Sequence, residues 1–369
     1  MRVAVIQDHL RMGGTERQSL FLCRELIRAG HEAHLVLFRP GGSLWGELQS
    51  SGVPHTVLQH FDTHICFLAP GLSDCIDKLA PDVVLCMGRT ANCYAGMLQH
   101  RFENVKVVST LRTGKMIFPL HHWSLGKVSA VLVNSNWWRR RMLERGFPPE
   151  KVKLVHNPLM LRVKPEETIR WRTAVRARAG ARPGTCVFVV IASLRPGKRH
   201  MDLLESFRIF ARQTTSDWQL WIVGSGRELN RCKRFVASNG LEDHVTFFGQ
   251  QPHTGPFYAG ADVAVSASQE DSLPNFLIEA QAMGLPLVAT ACRGVEECCI
   301  PGRTGIVVPP GRREEFAAAL DECASRMQMR ETAATQAPLF VAGRFGAERQ
   351  ADLTIDFLKA LARSRRKDS

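Results

Sequence analysis

Apolar residues along this chain fall into short runs of strand length separated by longer amphipathic or polar stretches, and the alternation recurs from end to end. The runs at residues 2–7 (RVAVIQ), 33–38, 83–87, 105–110 and 130–134 each read as a buried strand, because short continuous apolar runs bounded by turn signals suit a sheet covered on both faces. Between the first two, residues 16–29 predict a helix closed by Gly30. A polar, Arg-rich stretch at 161–184 then interrupts the pattern, holds a helix of its own and places a domain boundary near 163–184. Strands resume at 186–192, 218–223, 245–248, 261–265 and 286–290, with a helix at 201–213. Near the end, residues 344–362 predict an amphipathic helix with Leu353, Phe357 and Leu361 on one face. Strands alternating with helices build parallel, doubly wound sheets whose ligand edge is the carboxyl end of the strands. The expected fold is therefore α/β in two such domains, residues 1–165 and 166–343, followed at 344–369 by a helix and a charged tail.

The stretch 266–290 (SASQEDSLPNFLIEAQAMGLPLVAT) packs a strand end, an acidic loop, a helix and a further strand into one unit. Pro274 suits a first helical turn, and Gly284 and Pro286 stop the helix that runs from Asn275 to about Met283. Such a helix start favours an anion by roughly 0.3 to 1 kcal/mol per charge at exposed sites. Asp271 in the loop and Glu279 one turn beyond Asn275 can face one pocket, and carboxylates are good acceptors for sugar hydroxyls. Upstream, SLRPGKRH at 193–200 sets Arg195 and Lys198 beside another helix start, an arrangement suited to clamping a diphosphate. Gly224 and Gly226 form a GxG after a strand, but the third glycine of a dinucleotide fingerprint is missing. In the first half, Gly13 and Gly14 lie between the first strand and its helix, where a backbone can approach a ligand closely. Arg89, Arg112 and Lys115 follow later strands and are expected to grip an anionic group.

The run SxxEDxLPNxLIEAxAxGLPLVAT resembles the donor-sugar motif of glycosyltransferase family 4, retaining enzymes of GT-B fold. The resemblance implies two Rossmann-like domains facing across a cleft, and two acids with seven residues between them. Counting back from Glu279 puts Asp271, not Glu270, at the first position. It implies Glu279 on the ribose hydroxyls, Asp271 on a hydroxyl of the donor sugar, and the backbone of Ser272, Leu273, Pro274 and Asn275 near the phosphates, with Gly224 also on the donor side. Lys198 transfers directly from the family pattern, whereas the usual arginine position falls on Ser193 and Arg195 is expected to replace it. The opening MGGTERQSLFLCRELIRAGHEAHLV resembles the family's start, which sets Gly13 and Gly14 beside the cleft on the acceptor side. Many family members place a His where VVSTLRTG has Arg112, and a permanent cation can hold an anion but cannot serve as a base. The terminal helix crosses back onto the first domain in that family. The implied activity is retaining transfer of a sugar from a nucleotide-diphosphate donor, expected to be uridine-based, to a glycan or lipid-linked acceptor of an envelope polysaccharide or lipopolysaccharide. With no DxD pair, no obligatory metal is expected, and no cofactor beyond the donor substrate.

Charge adds a partner question. Residues 1–165 hold 21 Lys and Arg against 12 Asp and Glu, so the first half carries most of the net +13 and favours an anionic acceptor or membrane surface. Nucleic acid is not expected, because Trp and Arg form no recognisable binding motif. Trp137, Trp138, Arg139, Arg140, Arg141 and Arg145 read either as a solvated helix face with its tryptophans inward or as a membrane-surface patch. No apolar run reaches membrane-spanning length and no signal peptide precedes the first strand, so the expected location is the cytoplasm, in peripheral contact with the membrane. Eleven cysteines without paired CxxC spacing fit reduced thiols. Two further readings stand beside transfer: a GT-B nucleotide-sugar epimerase, and a non-enzymatic protein that binds anionic polymers.

Overall fold

The computed structural model describes residues 1–11, 13–113, 119–161 and 163–364. Lys115 and the charged tail beyond Ser364 lie outside the described residues. The chain divides into two compact units, residues 1–158 joined by 347–369, and residues 159–346.

Unit 1 runs β1 (Arg2–Gln7), α1 (Gly14–Arg28), β2 (Glu32–Leu37), α2 (Trp45–Ser50), β3 (His55–Val57), α3 (Leu72–Leu79), β4 (Val83–Cys86), α4 (Gly88–Arg101), β5 (Lys106–Leu111), α5 (Pro119–Lys127), β6 (Ala130–Val133), α6 (Asn136–Glu144) and β7 (Val152–Leu154). All its strands pair in parallel, in the order β3-β2-β1-β4-β5-β6-β7. Successive side chains of β1 go to opposite faces, as strand geometry requires. Val3 and Val5 join Leu20 and Leu26 of α1 in one core, while Ala4 and Ile6 join Ala91, Leu98 and Trp138 in the other.

Unit 2 runs α7 (Pro165–Arg178), β8 (Cys186–Ile191), α8 (His200–Gln213), β9 (Trp218–Val223), α9 (Leu229–Ser238), β10 (Val245–Gly249), α10 (Gly255–Gly260), β11 (Val263–Ser266), α11 (Asn275–Ala282), β12 (Leu287–Thr290), β13 (Gly305–Val308), α12 (Arg313–Ser325) and α13 (Met327–Phe345). Its six strands are parallel, ordered β10-β9-β8-β11-β12-β13. Phe188 packs with Phe207, Phe210 and Trp218 on one face, and Val187 and Val189 with Leu277 and Trp221 on the other. After Gly346 the chain returns as α14 (Ala347–Arg363), which buries Ile355 and Leu358 in the α1 side of the unit 1 core.

The elements differ from the sequence pattern in three places. β3 is a three-residue edge strand, too short and polar to stand out. α13 spans 19 residues with Pro338 inside it, and a proline in a weakly amphipathic stretch reads as a break. Consequently Arg344 and Phe345 end α13 instead of opening the terminal helix, which begins at Ala347.

Leu358→Ala should lower the unfolding free energy of unit 1 by about 2 to 5 kcal/mol, the usual range for emptying a fully enclosed leucine site. Urea denaturation checks this; a change within about 0.5 kcal/mol, as for an exposed position, would remove α14 from that core.

Candidate active site

In unit 2 the sheet grows from β8 through β9 to β10 on one side and from β11 through β12 to β13 on the other. The loops leaving β8 and β11 therefore emerge side by side at the carboxyl edge, where open α/β sheets take their ligands. Backbone contacts stitch them together: Gln269 N–H donates to the Gly197 carbonyl at 3.1 Å, and Ser268 Oγ donates to the same oxygen at 3.4 Å. The β8 loop carries a single 3-10 turn, Pro196–Lys198, and Arg199, in the left-handed region at φ 54°, swings the chain into α8.

This arrangement delivers Lys198 to Asp271. The Lys198 Nζ lies 2.7 Å from each oxygen of the carboxylate, and the two side chains retain only 17% and 18% exposure. Burial pushes the Asp271 carboxyl up, but the Lys198 charge and hydrogen bonds, aided by Ser268 and Arg195, outweigh it and hold the group below its usual range. The neighbouring acid takes a different partner, with Arg195 Nη1 3.0 Å from Glu270 Oε2. The two adjacent carboxylates are thus sorted, Asp271 onto the lysine and Glu270 onto the arginine. His200, enclosed at the start of α8 and close to Lys198, is driven down to about 4 and stays neutral.

Beyond Asp271 the loop is anchored by Ser272 and Leu273, both buried, and Leu273 joins the core under α11. Pro274 occupies the N-cap of α11. Glu279, one turn in, accepts a hydrogen bond at 2.5 Å from the hydroxyl of Tyr258 on α10. Tyr258 is buried and its ring stacks on Phe276. Nothing in the sequence pattern marked Tyr258; an isolated tyrosine in the short GPFYAG helix signals neither packing nor chemistry by itself. Cys292 Sγ, in the loop after β12, donates to the Asp271 carbonyl at 3.3 Å.

Gly224 serves its own chain. Its φ is 142°, its N–H donates to the Gly249 carbonyl at 2.7 Å, and a Cβ there would fall 2.0 Å from the Ala192 carbonyl oxygen. Gly226 likewise abuts the Leu194 backbone, so this GxG lets the β9 loop lie against the β8 loop that bears Arg195 and Lys198.

In unit 1 the carboxyl edge gathers a second polar group. Gly13 is the N-cap of α1 and Gly14 its first residue, and the Glu16 carboxylate folds over Gly13. Burial is the main cause raising the Glu16 pKa, with Asp8 adding to it. Thr90, beside Arg89 in the first turn of α4, donates to Asp8 Oδ2 at 3.4 Å. Arg112 leaves β5 and donates through Nη1 to the amide oxygens of Gln18 and, at 3.3 Å, Asn157. Asn134 Nδ2 donates to the same Asn157 oxygen at 3.2 Å. Burial pulls the Arg112 pKa down to about 10, which leaves it cationic at neutral pH and held by neutral amides. On α6, Trp138 is buried with its indole N–H on the Thr113 carbonyl, and Trp137 packs edge-on against it. The tryptophans of that helix face the core, leaving Arg139 and Arg140 exposed.

Two doubly wound parallel units, one of them carrying paired cations and carboxylates at its switch point, define the GT-B class of glycosyltransferases. Residues 12–161 match the family model described as Glycosyltransferase Family 4, and residues 185–326 match Glycosyl transferases group 1; the chain belongs to this family of glycosyltransferases. Among curated relatives, the lipopolysaccharide core biosynthesis glycosyltransferase LpsE of Rhizobium meliloti is 30% identical over 139 residues, 38% of this chain and 41% of its own length. The match thus spans about two-fifths of that relative. The lipopolysaccharide 1,6-galactosyltransferase of Salmonella typhimurium is 21% identical over 263 residues, 69% of this chain and 68% of its own length. Among solved structures, Anabaena HepE in complex with UDP superimposes with a TM-score of 0.82 at 19% identity, covering 98% of this chain and 100% of that one. The lipopolysaccharide outer core galactosyltransferase WaaB, in apo form, gives 0.71 at 17%, covering 98% and 99%. At these identities the structural likeness speaks for the fold.

Replacing Lys198 by Met should leave Asp271 with its burial but without its main counter-charge, so its folded pKa rises above the ordinary value of about 3.9. In the native protein the depressed pKa contributes stability above that value, lost only as pH falls through the folded pKa. In Lys198→Met the sign reverses, and protonating Asp271 relieves the folded state. Urea unfolding should show a deficit at pH 7, below the roughly 3 to 5 kcal/mol of a fully enclosed pair because of the residual exposure, that narrows by pH 4.5. A deficit equal at both pH values would dissolve the assignment.

Proposed function

We propose that this glycosyltransferase moves a sugar from a nucleotide-diphosphate donor, uridine diphosphate by preference, to a glycan or lipid-linked acceptor in the synthesis of an envelope polysaccharide or lipopolysaccharide, with retention at the anomeric carbon. The observation that carries the reading is the Lys198–Asp271 pair at the switch point of unit 2, beside Arg195 and the start of α11. In this reading the donor diphosphate lies along Lys198, Arg195 and the α11 N-terminus, which stabilise the charge that builds as the glycosidic C–O bond to phosphate breaks. Asp271 receives a hydroxyl of the donor sugar and Glu279 the ribose hydroxyls, with the Tyr258 hydroxyl holding the Glu279 carboxylate in one orientation. Gly224 keeps the neighbouring loop close enough to line the same edge. The acceptor oxygen attacks from the side on which the phosphate leaves, and the departing phosphate oxygen takes the acceptor proton.

The acceptor is assigned to unit 1, to Gly13, Gly14, Arg89, Arg112 and Lys115. Arg112 suits a phosphate or carboxylate on that substrate, because its present partners are neutral amides that leave its charge uncompensated. Structural neighbours support the donor class: HepE was crystallised with UDP and with UDP-glucose. Relatives support the acceptor class, since LpsE and the Salmonella enzyme are named for lipopolysaccharide. Charge stabilisation is assigned to protein cations, so the reading includes activity without a divalent metal and a protein that works peripherally on the cytoplasmic face of the membrane. Among the described residues no helix is long and apolar enough to cross one.

Thermal unfolding with UDP, GDP, ADP and their sugar conjugates tests the donor site. UDP at a hundredfold excess over its dissociation constant should stabilise the protein by about 2.7 kcal/mol. Glu279→Ala should abolish that shift, and Tyr258→Phe should weaken it while leaving the nucleotide preference intact. A shift unchanged in Glu279→Ala would move the nucleotide elsewhere, and stabilisation by GDP or ADP alone would refute the uridine assignment. Release of UDP from a UDP-sugar only when acceptor is present separates transfer from epimerisation.

Turnover in EDTA should equal turnover in magnesium. Loss of activity on chelation, restored by a divalent cation, would replace the cationic clamp with metal chemistry.

A further inference from the structure

Most of the exposed large apolar side chains of unit 1, Ile27 of α1 apart, lie on one loop and two helices. Residues 59–68, between β3 and α3, make a compact loop tied together by Gln59 and tied to its surroundings through Asp62, Cys66 and Phe67. The buried Gln59 donates through Nε2 to the carbonyls of Ile65 and Leu68, and accepts through Oε1 from the N–H and hydroxyl of Thr63. Asp62, the loop's single carboxylate, accepts from the His64 N–H and turns onto the buried Arg39 at 3.1 Å. With Gln59 buried at its centre and Asp62 paired with Arg39, the loop leaves Phe61, Ile65 and Phe67 exposed, Phe61 at 71%.

The display continues across two helices. Tyr94 on α4 donates its hydroxyl to the Phe67 carbonyl and packs edge-on against Phe38, which fixes the loop to that helix. One turn further along α4 is the exposed Met97, on the same face at i, i+3 spacing. The adjoining Gly96 leaves room for Trp123 of α5, since a Cβ on Gly96 would lie 3.0 Å from the indole Cζ3. Trp123 and Leu120, again three apart, are 48% and 54% exposed. Phe61, Ile65, Phe67, Met97, Leu120 and Trp123 thus follow one another over three elements of a single unit. Scattered apolar residues need no explanation, but a connected set of this kind marks an interaction surface.

Charge selects the partner. α4 and α5 contain no Asp or Glu, against Arg89, Arg101 and Lys127, while His100 and His122 are exposed beside them. The acids that border them in the chain are the exposed Glu103, two residues beyond Arg101, and, on α3, Asp74 and Asp77, which share that helix with Lys78. Aromatic and aliphatic side chains with cations around them, and the loop carboxylate neutralised by Arg39, match the boundary of an anionic bilayer, where Trp and Phe enter the acyl edge and Lys and Arg meet headgroups. We infer that the loop 59–68 with α4 and α5 is the face by which this enzyme docks on an anionic lipid surface. The inference is independent of the donor assignment. It also moves the membrane contact off α6, whose tryptophans are spent on the core.

The test is sedimentation of the full chain with vesicles of phosphatidylcholine alone and of phosphatidylcholine with phosphatidylglycerol. Binding is expected only with the anionic lipid, weaker in high salt. The pair Leu120→Gln and Trp123→Gln should reduce the partition coefficient at least about tenfold, as should Phe61→Ser with Ile65→Ser. Arg139→Ala with Arg140→Ala on α6 should change it less than about threefold, the loss of general electrostatic attraction. Hydrogen exchange on the unaltered protein gives a second readout: vesicles should slow amides in 59–68 and 119–127 and leave α6 unchanged. Absence of binding to either vesicle, equal binding by the patch variants, or protection centred on α6 would each overturn the inference. So would a dimer in lipid-free solution that the Leu120 and Trp123 substitutions disperse, which would assign the face to a second copy of the chain.

Discussion

The ion pair between Lys198 and Asp271 depends on a topological fact, the reversal of strand order between β8 and β11. At that reversal the connections from two adjacent strands leave for opposite faces of the sheet, and in the crevice this opens between their loops a lysine from one reaches a carboxylate from the other. The surrounding choices follow. Arg199 accepts a left-handed backbone, costing on the order of 1 kcal/mol, to end the lysine's turn and start α8. Ser272 and Leu273 are buried to hold the acidic loop down, and Gly224 and Gly226 allow a third loop to lie against the first. Partly buried, an ion pair of this kind contributes little net stability beyond what well-packed apolar residues would supply. Its presence at the ligand edge is better explained by what a polyanionic ligand requires.

Strand positions were legible because both sheets are parallel and covered on both faces, so each strand is a continuous apolar run such as VVLC, AVLV or CVFVVI. The acidic loop with its helix was legible because Pro274, Gly284 and Pro286 punctuate it. What escaped was set by tertiary contact. β3 is a strand only because β2 offers it an edge, and α13 persists through Pro338 because Ala333, Ala337 and Val341 are buried along one side. The same holds at the site. Lys198 and Asp271 could be named from local pattern, but their pairing spans 73 residues of sequence. The Tyr258 hydroxyl on Glu279, and the amides of Gln18 and Asn157 around Arg112, have no local signature at all. The orientation of Trp137 and Trp138 likewise could be decided only by where the core lies.

Unit 1 closes its core with a helix made after the whole of unit 2. Ile355 and Leu358 of α14 cover apolar side chains of α1 and the adjoining sheet that residues 1–158 leave uncovered by themselves. During synthesis unit 2, continuous in sequence, has all its core residues before unit 1 does. Until α14 has been made, the core on the α1 side of unit 1 lacks Ile355 and Leu358. Unit 2 can complete its core from one continuous stretch of chain, whereas unit 1 needs both ends of the fold, and the interval between the two is a window in which chaperones or proteases meet an incomplete core.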